Sequence, residues 1–169
     1  MNLVTWVGTP LEIVRKMLDM AHVGSEDTVY DLGSGDARIL IMAVKDFGVR
    51  KAVGYEIRED LCELAWHEIR RLKLQKNIKV IHGNLLEADF SQASIITIYL
   101  RGKANQLLRP RLEQYATPNT RVVSYRFPIK GWRAIKRDSL KDCSFADEYY
   151  SGTIYLYSIP ESFKYKRHS

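Results

Sequence analysis

Along the chain, stretches with a helical repeat of apolar positions alternate with short runs of strand character. "TPLEIVRKMLDMAHV" carries a helix start signal: Thr9 as cap, Pro10 at the first helical position, and Glu12 three residues after the cap in a capping box. The spacing then sets Leu11, Val14, Leu18 and Ala21 on one face. "DTVYDLG" reads as a strand, and "DARILIMAVKDF", apolar on most sides, as a helix buried against a sheet. "KAVGYE" is a second strand, and "EDLCELAWHEIRRLKL" a long amphipathic helix with Leu61, Leu64, Ala65, Ile69 and Leu72 inward.

The alternation continues through the strands "IKVIHG", "SIITIYL" and "TRVVSYRF". Between the last two lies "GKANQLLRPRLEQY", helical in pattern, with a kink or break expected at Pro110. After Pro128 the helical signal fades, and the chain is expected to close with an antiparallel hairpin ending in "GTIYLYSI". Strands and helices joined by short connections imply βα units. The expected fold is α/β: a doubly wound, Rossmann-like, mostly parallel seven-stranded sheet with an antiparallel hairpin at one edge.

Composition bounds this picture without redirecting it. At 169 residues and 46% hydrophobic content, one domain over 1–169 with one good core is expected. Net charge is +6, and the 160–169 tail is basic, which leaves a nucleic-acid partner open but not favoured over a solvated surface. Cys62 and Cys143 lie far apart, without metal-ligand spacing, and read as reduced thiols. No signal peptide pattern opens the chain, and the longest apolar run, "IITIYL", is too short to span a bilayer, so a cytoplasmic protein without membrane insertion is expected.

The chemistry concentrates at "VYDLGSGDARI", on the first strand-to-helix turn, where ligands of such sheets bind. A dinucleotide fingerprint would need a third glycine where Arg38 stands, and Asp31 and Asp36 flank the place where a pyrophosphate would lie. Two carboxylates suit a cofactor with a cationic end, and S-adenosylmethionine carries an ammonium and a sulfonium. On this reading Asp31 receives the ammonium, Gly33 and Gly35 allow close backbone approach, and Glu56 accepts the ribose hydroxyls. Asn84 meets the adenine edge and Leu85 its face.

Together "WVGTPLEIVRKML", "VYDLGSGDARI", "VGYEI", "VIHGNLLEAD", "ITIYL", "LLRPRLE" and "TRVVSYRFPIKGW" resemble the class I methyltransferases. Within them the sequence is similar to the archaeal protein lysine methyltransferases and their mitochondrial relatives that methylate carrier and ATP synthase subunits. The resemblance implies cofactor roles for Asp31, Gly33, Gly35, Glu56 and Asn84, with Thr9 and Pro10, in an N-terminal segment 1–24, closing over the methionine end. Three positions depart from it. Ala37 stands for the usual glycine, Gly8 for the usual proline ahead of Thr9, which implies a looser segment, and "SYRF" for a common Ser-His-Glu-Phe near the substrate opening.

The stretch after the fourth strand, "IYLRG", lacks the Asn/Asp-Pro-Pro-aromatic signature of exocyclic base methylation, and neither cysteine is placed for cytosine chemistry. A lysine amine fits this scarcity of catalytic groups. Neutralising it at pH 7 costs roughly 5 kcal/mol, and burial in an apolar channel shifts an amine by about 3 to 5 pH units. No single base is assigned; positioning for attack dominates. Tyr99 is the first choice for the channel mouth, followed by Trp6, Tyr125 and Trp132. The expected acceptors are exposed lysines on other proteins, the chain's own among them. An RNA methyltransferase is the alternative, and a cofactor-binding module without catalysis a third reading.

Overall fold

A computed structural model describes residues 6–140 and 152–163. Helix α1 (Leu11–Met20) precedes β1 (Thr28–Leu32), followed by α2 (Arg38–Phe47), β2 (Lys51–Glu56), α3 (Glu59–Arg71) and β3 (Ile78–His82). Then come β4 (Ile95–Ile98), α4 (Gly102–Tyr115), β5 (Arg121–Tyr125), β6 (Lys136–Ser139) and β7 (Thr153–Ser158). The strands form one seven-stranded sheet in the order β3-β2-β1-β4-β5-β7-β6. The first five are parallel, while β7 runs antiparallel to both β5 and β6, giving the antiparallel edge hairpin read from the sequence.

Period-two burial divides the core between the two faces of this sheet. Val29, Ala52, Val80, Ile95 and Val123 pack with α1, α2 and α3, whereas Tyr30, Leu32, Val53, Ile96 and Val122 pack with Leu108 and Leu112 of α4. Acids in the first turn of α3 (Glu59, Asp60) and arginines in its last (Arg70, Arg71) match the helix dipole.

Three local expectations are corrected. Pro10, not Thr9, is the cap of α1, and no side-chain cap bond forms because proline has no side-chain acceptor; the buried Thr9 lies one residue earlier, its carbonyl accepting from Arg38 Nη1 at 3.0 Å. Leu11 and Leu64 are largely exposed, because the sheet-facing stripes of α1 and α3 are narrower than the apolar pattern suggested. Helix α4 runs unbroken through Pro110. There the proline is exposed, and the Gln106 carbonyl four residues earlier, whose bond it cannot make, lies on the exposed side of the helix. At Gly8 a Cβ would meet the Arg38 guanidinium, so the missing side chain leaves the space in which Arg38 reaches the Thr9 carbonyl.

Candidate active site

The strand order reverses between β1 and β4, and the carboxyl ends of the parallel strands open there into a cleft of about 950 Å³. Asp31 (in β1), Glu56 (end of β2), Asn84 (after β3), Tyr99 (after β4) and Arg126 (after β5) all line it. The sequence thus delivers one polar or aromatic side chain per strand end to one place.

Its floor is built by the glycine turn. The N–H groups of Gly33 and Ser34 both donate to the Tyr55 carbonyl, at 2.9 and 3.0 Å, which folds the turn against the end of β2. Gly33 (φ 87°) and Gly35 (φ 54°) adopt the left-handed conformation that side chains disfavour. Glu56 is held by two backbone donors: Gly35 N–H to Oε2 at 2.8 Å and Arg58 N–H to Oε1 at 2.9 Å. Each oxygen keeps acceptor capacity for a ligand hydroxyl.

Asp31 is 3% exposed and accepts the Thr97 hydroxyl at 2.8 Å. Burial raises its pKa from an ordinary 3.8 to about 7; the Thr97 bond opposes the rise, and the neighbouring Glu56 and Asp36 charges add to it. Among the described residues no cation pairs with this buried acid. That deficit, and a turn with no Cβ at Gly33 and Gly35, fit the ammonium end of S-adenosylmethionine.

Over the turn lies the N-terminal segment. Trp6 covers Gly35 so closely that a Cβ there would sit 2.8 Å from Trp6 Nε1. Arg38 ties the pieces together: its guanidinium lies over the Trp6 ring at 5.2 Å, pairs with Asp36 at 2.7 Å, and donates to the Thr9 carbonyl. Thr9 lines the cleft; Pro10 does not, and acts as the cap of α1 behind it. Asn84 Oδ1 accepts the Leu86 N–H at 3.0 Å, and Leu85 lies beside it in the wall.

Of the four aromatic residues expected at the channel, Trp6 and Tyr99 line the cleft and the other two do not. Tyr125, 1% exposed, lies behind Tyr99 with ring centroids 4.9 Å apart, so it supports the wall without forming it. Trp132 belongs to a separate cluster with Tyr157 and Phe163, and its Nε1 donates to Glu113 at 2.8 Å. The hairpin approach carries it to the far face of the sheet, which the sequence did not reveal. Phe127, stacked near Tyr99 at 6.4 Å, takes the place assigned to these two. Tyr55, Leu100, Arg101 and Arg126 also line the cleft. Tyr55, Leu100 and Arg101 follow the same strand-end rule that identified Glu56 and Tyr99, so the signal for them was present.

A seven-stranded sheet of this order, its last-formed strand inserted antiparallel and its switch point floored by glycines and two buried carboxylates, defines a class I S-adenosylmethionine-dependent methyltransferase. Residues 31–136 match the ANTKMT methyltransferase domain, and the chain belongs to that family. It is 40% identical over 158 residues to a protein-lysine N-methyltransferase of Saccharolobus islandicus (strain REY15A), covering 94% of this chain and 95% of the relative. It is 30% identical over 132 residues to the adenine nucleotide translocase lysine N-methyltransferase of Mus musculus, 78% of this chain but 57% of that protein's length. Among solved structures, an RNA methyltransferase from Salinibacter ruber in complex with S-adenosyl-L-homocysteine superposes with a TM-score of 0.84 at 36% identity, over 94% of this chain and 97% of that one.

Proposed function

We propose that the protein transfers methyl groups from S-adenosylmethionine to lysine side chains of other proteins. The observation that carries this reading is the end-to-end similarity to a protein-lysine N-methyltransferase, covering 95% of the relative's length. The site agrees with it. Asp31 takes the cofactor's ammonium and Glu56 its ribose hydroxyls, while Asn84 and Leu85 meet the adenine. Gly33 and Gly35 admit the ligand close to the backbone, and Thr9 and Trp6, held by Arg38, close the methionine end. Bound there, S-adenosylmethionine supplies an electrophilic methyl group on its sulfonium.

The remaining work is to deliver a neutral amine. Tyr99, stiffened by Tyr125 behind it and Phe127 beside it, offers an aromatic wall along which the lysine stem can lie. Desolvation against that wall supplies most of the roughly 5 kcal/mol needed to strip the ammonium proton at pH 7. Among the described residues no cluster of His, Cys, Asp or Glu could hold a metal ion, and the one described cysteine, Cys62, is buried and donates to the Glu56 carbonyl at 3.5 Å. Its thiol is pushed up by burial and acid neighbours, away from nucleophilic use.

An open cleft suits exposed lysines of many proteins, including other copies of this chain, and one cytoplasmic domain carrying its own closing segment accounts for the site. No helix among the described residues is long and apolar enough to cross a membrane. RNA methylation is the second reading, favoured by the similarity to the Salinibacter ruber protein and by the net charge of +6. Labelled S-adenosylmethionine incubated with a native extract discriminates them. Lysine transfer leaves label that survives RNase and is lost with protease, whereas the opposite pattern would replace it with RNA transfer. Mass spectrometry of the protein after incubation with cofactor alone is expected to show added methyl masses on its lysines; none would remove self-modification.

A further inference from the structure

Strand β4 is a run of isoleucines with one exception. Ile95, Ile96 and Ile98 are fully buried, and so is Thr97, the single polar side chain of the strand. Valine has the same shape, a similar strand preference and no hydroxyl to desolvate, so packing alone does not call for threonine there. The register shows what the hydroxyl meets. Thr97 is the partner of Asp31 in the parallel pairing of β1 with β4, where the strand order reverses. Register partners share a face of the sheet, so two polar side chains are brought together on the face that also carries Val29, Ile95 and Val123.

The hydroxyl has one proton to give and two acceptors in range, Asp31 Oδ1 at 2.8 Å and the Tyr30 carbonyl at 3.5 Å. The shorter bond takes it, and a bond to a charged acceptor is also the stronger. Among the described residues no other donor reaches the Asp31 carboxylate, so its second oxygen is left for the cleft that Asp31 lines. The charged neighbours work against ionisation. Glu56 at the end of β2 and Asp36 in the glycine turn are acids, and Arg38 at the start of α2 is paired with Asp36. Burial also disfavours the charge, and the Thr97 bond is what opposes it.

We propose that Thr97 is a positioning residue for the methyl donor: by binding one oxygen of Asp31, its hydroxyl keeps that buried carboxylate charged, with the other oxygen open to the cofactor's ammonium. Thr97 acts through Asp31, and its role rests on the reading of Asp31 as the ammonium partner. The hydroxyl matters most where ionisation is incomplete. Below about pH 7 Asp31 is mostly protonated in the cofactor-free protein and must lose its proton to bind, so removing the bond weakens binding there. At pH 9 the acid is ionised either way.

The test compares Thr97→Val, Thr97→Ser and Asp31→Asn with the wild type by calorimetric titration of S-adenosylmethionine from pH 6 to pH 9. Urea denaturation of the cofactor-free proteins covers the same range. The cofactor's own amine titrates alike against every protein, so only differences between proteins are read. A hydrogen bond to a charged group contributes about tenfold or more. Thr97→Val is therefore expected to bind about tenfold more weakly at pH 6 and within about twofold of the wild type at pH 9, the acid limb of its profile moved up by about one pH unit. Thr97→Ser keeps the donor and should keep the wild-type limb. In cofactor-free Thr97→Val the fall of stability with rising pH should run about one pH unit further, because the folded-state acid holds its proton longer. An equal loss of affinity at every pH in Thr97→Val, or a Thr97→Ser protein that behaves like Thr97→Val, would mean that position 97 only packs, and would overturn the proposal. Unimpaired binding by Asp31→Asn would overturn the reading of Asp31 and this role with it. Loss of binding by Asp31→Asn with an unmoved limb in Thr97→Val would overturn the role of Thr97 alone.

Discussion

Replacing Asp31 with asparagine separates what the site needs from what the fold prefers. Asp31 is buried, and its pKa of about 7 means that the ionised form is unfavourable in the folded protein. An unfolded chain ionises it near the ordinary 3.8. Between those values the unfolded state has lost the proton that the folded state still holds, so stability falls as pH rises from about 4 to about 7, then levels. The difference between 3.8 and about 7 corresponds to about 4 kcal/mol in total, most of which, about 3 kcal/mol, accrues between pH 5 and 8. Asparagine keeps an acceptor for the Thr97 hydroxyl and never ionises. Urea denaturation without cofactor should therefore show the Asp31→Asn protein gaining on the wild type by about 3 kcal/mol from pH 5 to pH 8. Calorimetric titration at pH 8 should show the same variant losing S-adenosylmethionine binding. A stability difference that does not change with pH would refute the ionisation argument, and unimpaired binding would refute Asp31 as the ammonium partner.

Other positions test other parts of the site. Ala37 is fully buried at φ 67° directly before α2, and Ala37→Gly should stabilise the protein by about 1 kcal/mol by relieving left-handed strain, read by denaturant midpoint; a loss would mean that the Ala37 methyl group's packing outweighs the strain. Among the described residues the buried Ser34 hydroxyl has no hydrogen-bond partner, so Ser34→Ala should leave stability unchanged or raise it by about 1 kcal/mol, and a clear fall would reveal a partner. Gly35→Ala places a Cβ at 2.8 Å from Trp6 Nε1 on a left-handed backbone, and should weaken cofactor binding at least about tenfold, with altered Trp fluorescence. For Tyr99, the Phe variant should keep most of kcat/KM toward a lysine peptide and the Ala variant lose at least about tenfold; equal losses would assign the work to the hydroxyl and not to the wall.

The division between what was legible in the sequence and what was not follows the range of the interactions. The mostly parallel sheet, its antiparallel edge hairpin and the floor of the cleft come from local patterns: a strand ending in an acid, a turn requiring glycine, and strand-helix alternation that implies parallel pairing. Asp31 and Glu56 could be placed because β strands in such a sheet end on the same side. Tyr125 could not, since an aromatic in a strand end looks alike whether its ring faces the cleft or the core, and only its packing on Tyr99 decides; nor could Trp132, whose place in the connection between β5 and β6 is set by Tyr157 and Phe163, distant in sequence. Gly8 shows the same limit, since only the structure reveals that this glycine leaves the space in which the Arg38 guanidinium, 30 residues away, reaches the Thr9 carbonyl. Arg38 is also the residue that breaks the dinucleotide fingerprint. One side chain thus stands in place of the third glycine, pairs with Asp36 and ties the N-terminal segment to the glycine turn, while Asp31 stays buried with no cation paired to it among the described residues. The departure from the dinucleotide motif and the contact of the N-terminal segment with the turn are for that reason two consequences of the same arginine.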